Sequence, residues 1–208
     1  MKYIDHTLLK PVATWDEIKK ICEEGLEHST ASVCIPPSYV ARAKEAFPEL
    51  NVCTVIGFPL GYNTTEVKLM ETKQALEDGA SEIDMVINIG DVKNQDFDKV
   101  QKEIALLKEA VGNDKILKVI VETCYLTEEE KVKLCQCVTD AGADYIKTST
   151  GFGTNGATVE DIVLFKENIG ENVKMKASGG VRTKEDVETF AELGCSRIGT
   201  SSAVKILK

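Results

Sequence analysis

The chain has 208 residues, of which 43% are hydrophobic, and its formal net charge is −9. This length suits one large domain or two small ones, and the apolar content is sufficient for a buried core. The negative charge argues against a nucleic-acid partner, because binding to a phosphate backbone depends on clustered lysine and arginine. It does not exclude a small phosphorylated ligand, which needs only a local group of backbone amides.

The amino-terminal sequence MKYIDHTLLKP has no secretory hydrophobic region. No apolar run approaches the roughly 18 residues of a membrane span, so we expect a cytoplasmic protein without a membrane partner. Seven cysteines are scattered along the chain without a Cys-x-x-Cys pair, and there are two histidines. This pattern indicates reduced thiols that pack as small apolar residues, and it predicts neither a metal site nor another cofactor.

Eight short segments rich in apolar and β-branched residues are predicted strands, and helical stretches separate them. In chain order they are Tyr3–His6, Ser32–Ile35, Val52–Ile56, Glu82–Ile87, Leu117–Val121, Tyr145–Lys147, Lys174–Ala177 and Arg197–Gly199. Several helices are predicted to begin where a threonine precedes a carboxylate by three residues, as in a capping box. These threonines are Thr14, Thr127, Thr158 and Thr183.

Three predicted strands begin within the same short unit. In this unit a glycine ends a helix, and a distinctive residue of the strand stands five positions after the glycine. The units are Gly79–Asp84, Gly142–Lys147 and Gly194–Gly199. Strands that alternate with helices imply parallel pairing, and eight such units close naturally into a (β/α)₈ barrel. An open, doubly wound sheet is the alternative. Because no linker or composition break interrupts the chain, we expect a single domain over residues 1–208.

Charged residues lie inside predicted strands that are otherwise apolar, and the clearest cases are Asp84, Lys147 and Lys176. Taken singly, each could form a structural ion pair or extend out of the barrel end. However, two of them occupy the same position of the repeated unit, and strand alternation would send such side chains inward, where they must converge. Ligand chemistry in this fold lies at the carboxyl ends of the strands.

Convergence of two lysines disfavours the charged form of each, and partial burial acts in the same direction. An uncharged amine attacks a carbonyl to form a carbinolamine and then a protonated imine. We therefore predict that Lys147 forms an imine, with Asp84 and Lys176 as the groups that carry protons. The iminium ion itself withdraws electrons, so the chemistry needs no metal.

Two further stretches, Ser178–Thr183 and Gly199–Ser202, follow the last two predicted strands. Glycine allows backbone amides to approach a ligand, and the loops after strands seven and eight are the usual phosphate site of a barrel. A single Gly-Gly is more often a turn, but the two stretches together predict phosphate binding. The predicted phosphate-binding residues are Gly151, Gly179, Gly180, Gly199, Ser201 and Ser202. Arg182 is equally a surface residue or a ligand.

Eight motifs occur in order along the whole chain. They are Asp5–Pro11, Val33-Cys34, Val55–Gly61, Glu82–Val86, Leu117–Thr123, Ile146–Phe152, Lys176–Thr183 and Arg197–Ser202. In these motifs the chain resembles the deoxyribose-phosphate aldolases, a family of class I aldolases. Each motif is too short to be specific by itself, whereas eight ordered matches are highly specific.

The resemblance implies reversible cleavage of 2-deoxy-D-ribose 5-phosphate to acetaldehyde and D-glyceraldehyde 3-phosphate, within deoxyribonucleotide catabolism. It implies that Lys147 forms the Schiff base and that Asp84 and Lys176 are the proton donor and acceptor pair. A second group of residues matches family positions near the site: Asp5, Thr7, Cys34, Lys118 and Thr148. We expect Cys34 to be a bystander.

One departure from the family concerns the phosphate, because Phe152 stands where some relatives carry a lysine that helps to hold it. The expected partners are a small sugar phosphate and aldehydes, and a homodimer is the expected assembly because it is the commonest symmetric one. Two alternatives remain open. One is another phosphate-binding barrel aldolase or isomerase, and the other is a non-catalytic barrel that binds a sugar phosphate.

Overall fold

The computed structural model describes residues 2–206 and contains eight parallel strands that close into a barrel in chain order. The strands are β1 Ile4–Thr7, β2 Ser32–Ile35, β3 Val52–Ile56, β4 Glu82–Val86, β5 Ile116–Ile120, β6 Tyr145–Lys147, β7 Lys174–Ser178 and β8 Arg197–Thr200. Each strand pairs with the next, and β8 pairs with β1 to close the barrel. The (β/α)₈ prediction is thus confirmed, and every predicted strand end lies within one residue of the observed end.

Helices connect the strands on the outside of the barrel. They are α1 Trp15–Glu27, α2 Val40–Ala46, α3 Thr65–Glu77, α4 Ile89–Lys93, α5 Phe97–Val111, α6 Glu128–Asp140, α7 Val159–Asn168, α8 Lys184–Glu192 and α9 Ala203–Ile206. Short 3₁₀ turns at Pro37–Tyr39 and Thr123–Tyr125 precede α2 and α6. Within residues 2–206, no helix has the combined length and apolar character that crossing a bilayer requires.

The four predicted capping threonines begin helices as expected. Thr14, Thr127 and Thr183 form complete capping boxes with the carboxylate three residues later. Thr158 accepts a hydrogen bond from the amide of Asp161 at the start of α7. These caps satisfy amides that the first helical turn leaves without partners, so they define where each helix begins.

The glycine of each repeated unit turns the chain from a helix into the following strand. Gly79, Gly142 and Gly194 have φ angles of 102°, 71° and 107°, a region in which glycine is strongly favoured. The amide of each donates to a carbonyl three residues earlier, at 3.0–3.1 Å. Because the turns are alike, β4, β6 and β8 begin in the same phase, which directs equivalent positions of the three strands to the same side of the barrel wall.

The main hydrophobic core lies between the barrel and its helices. Outward-facing strand residues such as Val33, Ile83 and Val119 are fully buried there, as are helix residues such as Ile104 and Leu134. Full burial of such a side chain contributes about 1.5–3 kcal/mol. Charged and polar side chains fill much of the inside of the barrel instead, and this division places the candidate site.

Candidate active site

Asp84 lies at the centre of a group of ion pairs inside the barrel. Its Oδ2 atom accepts hydrogen bonds from the Nζ atoms of Lys147 on β6 and Lys176 on β7, both at 2.7 Å. Its Oδ1 atom accepts a hydrogen bond from Lys118 on β5 at 2.8 Å. All four residues are buried. The structure therefore brings together the three residues that the sequence singles out for imine chemistry, and it adds Lys118 to them.

Further charges lie nearer the amino ends of the strands. The Oδ2 atom of Asp5 lies 2.5 Å from the Nζ atom of Lys176, and its Oδ1 atom accepts a hydrogen bond from Arg197 at 2.8 Å. Glu82 accepts two hydrogen bonds from Arg197, at 2.7 and 2.8 Å, and pairs with Lys118 at 2.6 Å. Together with Asp84 and Lys147 these residues form one continuous set of buried charges, which we call the charge network.

Sequence reasoning did not single out Glu82 and Arg197. Each lies three positions after the glycine of a repeated unit, Gly79 and Gly194 respectively. Side chains at positions three and five after the glycine point to the same side of the strand, since they are two residues apart. The repeat that identified the fifth position therefore contained a signal for the third as well.

Opposite charges keep the carboxylates of the network ionised. Burial by itself would raise the pKa of Asp84, but the basic side chains of Lys118, Lys147 and Lys176 outweigh burial and hold that pKa well below its usual range. Burial likewise opposes ionisation of Asp5, and neighbouring cations, Lys176 above all, lower its pKa.

The same contacts keep three of the basic groups charged. Burial alone would lower the pKa of each, because a buried cation loses its hydration. The neighbouring carboxylates outweigh this loss, so the pKa is raised above its usual value for Lys118, Lys176 and Arg197.

Within the described residues, the charge network contains four basic groups and three carboxylates. The basic groups therefore outnumber the carboxylates by one, and the pKa is raised for three of them, Lys118, Lys176 and Arg197. The network is electrically neutral when Lys147 carries no proton, which is also its nucleophilic form. The expectation that crowding by Lys176 alone leaves the amine of Lys147 uncharged is incomplete, because the carboxylate of Asp84 contacts the nitrogens of both lysines.

A cavity of about 300 Å³ opens at the carboxyl ends of the strands. Lys147, the last residue of β6, lines this cavity, whereas Lys118 and Lys176 do not line it and are fully buried. Lys147 is therefore the amine of the network that a ligand in the cavity can reach. A larger hollow of about 730 Å³ lies along α6 and α7, but none of the network residues lines it.

Most of the predicted phosphate-binding residues line the same cavity: Gly151, Gly179, Gly180, Gly199 and Ser201. The first three of them have φ angles of 84°, 80° and 78°. Such turns direct successive backbone amides towards one concave surface, which suits an anion. Ser202 does not line the cavity, and its amide donates to the hydroxyl of Thr200 at 3.0 Å.

The rim of the cavity carries one aromatic ring and two basic side chains. The ring centroid of Phe152 lies 5.3 Å from that of Phe58, in an edge-to-face arrangement. Lys10 and Arg182 are exposed and also line the cavity. Position 152 is thus apolar, and two other residues supply positive charge at the rim.

The remaining predicted residues differ in how they relate to the cavity. Thr7 lines it, and its hydroxyl donates to the carbonyl of Asp5 at 2.8 Å. Thr148 does not line it. Its hydroxyl donates to the carbonyl of Ser178 at 3.1 Å, so it connects β6 to β7. Strand alternation explains the difference, since Thr148 directly follows the inward-facing Lys147.

Within residues 2–206, one group of side chains has donor atoms close enough together to bind a metal ion. It consists of Cys34, Cys53 and Asp84, whose donor atoms lie within 4.8 Å of one another. The thiol of Cys53 lies 3.2 Å from Asp84 Oδ1. Because Asp84 already binds three lysines, a divalent cation would meet their positive charges at close range. The donor set is therefore poorly suited to a metal, and we assign none to it.

These features define a class of protein: a (β/α)₈ barrel enzyme whose reactive amine acts on a carbonyl compound that also carries an anionic group. The cavity joins the amine of Lys147 to turns that suit a phosphate, and both lie where this fold places its chemistry.

Comparisons with known proteins agree with this class. The model of the DeoC/LacD family aldolases matches residues 1–201, and the chain belongs to this family. It is 67% identical to a deoxyribose-phosphate aldolase of Clostridium botulinum (strain Alaska E43 / Type E3), over 100% of this chain and 94% of the relative. It is 58% identical to a deoxyribose-phosphate aldolase of Clostridioides difficile (strain 630), over 100% of this chain and 95% of the relative.

Solved structures show the same fold. A structure named QR15, an aldolase, matches with a TM-score of 0.94 and 42% identity, over 99% of this chain and 92% of the other. The deoxyribose phosphate aldolase of Aeropyrum pernix, described as having a unique tetrameric structure, matches with a TM-score of 0.90 and 32% identity. That match covers 99% of this chain and 88% of the other.

Proposed function

We propose that the protein catalyses the reversible cleavage of 2-deoxy-D-ribose 5-phosphate to acetaldehyde and D-glyceraldehyde 3-phosphate, as a class I aldolase in deoxyribose catabolism. The observation that carries this proposal is the position of Lys147, whose amine contacts Asp84 and lines a cavity shared with glycine turns. The names of relatives at 58–67% identity over the whole chain support the same substrate.

In the direction of cleavage, the uncharged amine of Lys147 attacks C1 of the open-chain aldehyde, and loss of water then gives an iminium ion. Asp84 lies 2.7 Å from this amine and is the group through which its proton can leave. Lys176 shares the same carboxylate oxygen, so it can return a proton to the site. Lys118 holds the other oxygen and keeps the carboxylate in orientation.

The iminium ion then draws electrons from the C2–C3 bond. That bond breaks as the C3 hydroxyl loses its proton, D-glyceraldehyde 3-phosphate departs, and an enamine remains on Lys147. Protonation of the enamine at C2 gives the iminium ion of acetaldehyde, which water hydrolyses to release the product and the free amine. We assign these proton transfers to the Asp84–Lys176 pair.

The phosphate is held at the turns after β6, β7 and β8. The residues proposed to hold it by backbone amides and a hydroxyl are Gly151, Gly179, Gly180, Gly199 and Ser201. Lys10 and Arg182 add positive charge at the rim. The Phe152 ring takes no part in this binding, since it cannot donate a charge-assisted hydrogen bond.

Reductive trapping tests the proposal. The protein is incubated with acetaldehyde and cyanoborohydride, digested, and mapped by mass spectrometry. We expect a mass gain on the peptide that contains Lys147, and no gain or cleavage activity for Lys147→Ala. Lys68→Met is a matched control, because Lys68 is fully buried outside the barrel and pairs with Glu103 at 2.8 Å. It should keep the adduct.

Activity of Lys147→Ala within about tenfold of the parent would rule out the imine mechanism, since loss of the nucleophile removes the covalent route altogether. A non-catalytic sugar-phosphate-binding barrel would bind the phosphorylated sugar without forming any adduct. Another barrel aldolase would form the adduct but fail to cleave 2-deoxyribose 5-phosphate.

The organisation of the protein is part of the proposal. We propose that residues 1–208 form one domain, which is supported by a single closed barrel whose strands run from Ile4 to Thr200. We also propose a cytoplasmic homodimer, although the relative from Aeropyrum pernix is described as a tetramer. Light scattering on the purified protein distinguishes the two assemblies.

A further inference from the structure

Glu122 is a buried carboxyl group that the charge network does not include, and no sequence pattern assigned it a role. It lies two residues after the end of β5, and 2% of its surface is exposed. Its φ and ψ angles are 56° and 66°, the left-handed region that residues other than glycine rarely adopt. Backbone strain of this kind is concentrated at functional sites, because the surrounding structure must enforce it.

The carboxyl group of Glu122 holds the loop that follows β6. The hydroxyl of Thr150 donates to Glu122 Oε2. The amide of Thr150 lies 3.2 and 3.3 Å from the two carboxyl oxygens. The amide of Phe152 in turn donates to the Thr150 hydroxyl at 3.0 Å. A single carboxyl group therefore determines the backbone path over Thr150, Gly151 and Phe152.

The space around this contact is closely filled. A Cβ atom added to Gly153 would lie 3.1 Å from the carboxyl carbon of Glu122 and 2.8 Å from the sulfur of Cys124. Glu122 itself does not line the cavity, whereas Thr150, Gly151 and Phe152 do. The hydrogen bonds of Glu122 therefore reach the cavity through the loop.

The far end of the same loop rests on the turn after β7. A Cβ atom added to Gly156 would lie 2.1 Å from the carbonyl oxygen of Gly179. The amide of Ala157 donates to the carbonyls of Ser178 and Gly179, both at 3.1 Å. The loop is thus attached to β5 at one end and to the predicted phosphate turn at the other.

We propose that Glu122 is a positioning residue for the phosphate end of the substrate. Through Thr150 it holds the turn at Gly151 at a constant distance from the turn at Gly179, so that the amides of both meet one phosphate group. This inference rests on the proposed function, because it takes the phosphorylated sugar as the ligand. It differs from the assigned chemistry in that Glu122 touches neither the substrate nor Lys147.

Two substrates that differ only in the phosphate test the inference. Cleavage of 2-deoxyribose 5-phosphate and of 2-deoxyribose is measured for the parent, Glu122→Gln, Thr150→Val and the double variant. For Glu122→Gln we expect kcat/KM on the phosphorylated substrate to fall about ten- to a hundredfold, mainly through KM, because small misplacements of binding groups have effects of this size. On 2-deoxyribose the loss should stay below about threefold.

The double variant shows whether the two residues act through one contact. If they do, its loss on the phosphorylated substrate should be no larger than that of the more damaged single variant. Glu103→Gln is a matched control. Glu103 is also buried, and it accepts hydrogen bonds from Thr65 at 2.9 Å and from Lys68 at 2.8 Å. Its contacts join α3 to α5 and do not reach the cavity. It should lower thermal stability without changing the ratio of the two kcat/KM values.

Equal losses on the two substrates, additive losses in the double variant, or no loss at all would overturn the inference while leaving the proposed function intact. If Glu122→Gln fails to fold, Thr150→Val examines the same contact from the other side. A parent protein that forms no imine and cleaves neither substrate would instead overturn the proposed function, and this inference with it.

Discussion

Replacing Lys176 with methionine tests the electrostatic basis of the proposed chemistry. The Nζ atoms of Lys147 and Lys176 both lie 2.7 Å from Asp84 Oδ2, so they are at most twice that distance apart. Two unit charges at such a separation repel each other by roughly 3 kcal/mol at an effective dielectric constant of about 20. Methionine is of similar length and fills a buried site without charge, so it removes the repulsion and leaves little empty space.

The expected effect is a shift of the pH dependence of imine formation. About 1.4 kcal/mol corresponds to one pH unit, so the repulsion is equivalent to about two units. Loss of Lys176 also leaves three basic groups with three carboxylates, and the network is then neutral when Lys147 is protonated. Both effects favour the protonated amine over a wider pH range. The acidic limb of the pH profile of imine formation should therefore move to higher pH by about one to two units. The lower value applies if solvent in the cavity weakens the repulsion.

The assay is the initial rate of adduct formation with acetaldehyde and cyanoborohydride, measured across the pH range in which the variant stays folded. Trapping is preferable to turnover, because Lys176 is also proposed to carry a proton during turnover. Lys68→Met removes a fully buried lysine that lies outside the charge network, and its profile should match that of the parent. A profile of Lys176→Met that superimposes on the parent's would refute the charge-balance argument.

Three further predictions follow from the same contacts. Asp84→Asn leaves three lysine side chains around a neutral amide. Cleavage should therefore slow by about 10²–10⁴-fold, and the free energy of unfolding should fall by about 3–5 kcal/mol. Kinetics and urea denaturation measure the two effects separately, and unchanged stability would contradict the network. Folding lowers the pKa values of Asp5 and Asp84. Their contribution to the stability of the fold is therefore complete above about pH 4 and is lost as the pH falls below it. The melting temperature should drop steeply in that acidic range, and less steeply in Asp5→Asn. Phe152→Lys adds a positive charge at the cavity rim, so KM for 2-deoxyribose 5-phosphate should fall severalfold, and added salt should reduce this effect. An equal change for 2-deoxyribose would show that the effect is not electrostatic.

The barrel could be predicted from the sequence because the signals for it are local. A glycine such as Gly142 ends a helix, and three apolar or β-prone residues then start a strand, so neither boundary depends on distant contacts. The short helix α4 and the 3₁₀ turns were not predicted, since each is an irregular connection whose conformation depends on packing.

The site could be predicted only in part, for a physical reason. Strand periodicity indicates that Asp84 and Lys147 point inward, but it does not say that both lysines share one carboxylate oxygen. The second half of the network pairs Glu82 at the start of β4 with Arg197 at the start of β8. These strands lie on opposite sides of the closed barrel, so the pairing depends on how the whole barrel closes. Glu122 carried no signal, because its role depends on a left-handed backbone conformation that the residue type does not favour.

The charge network is difficult to explain by stability alone. Buried ion pairs recover little more than the cost of removing their charges from water, and apolar residues of similar volume often stabilise a fold as well. The apolar layer between barrel and helices already supplies a continuous core. The network holds one basic group more than it holds carboxylates, and Lys147 is the basic group that lines the cavity. We infer that the other charges are retained because they set the environment of that one amine. Lys176→Met should therefore shift the pH profile of imine formation, in addition to the stability lost with its two buried ion pairs.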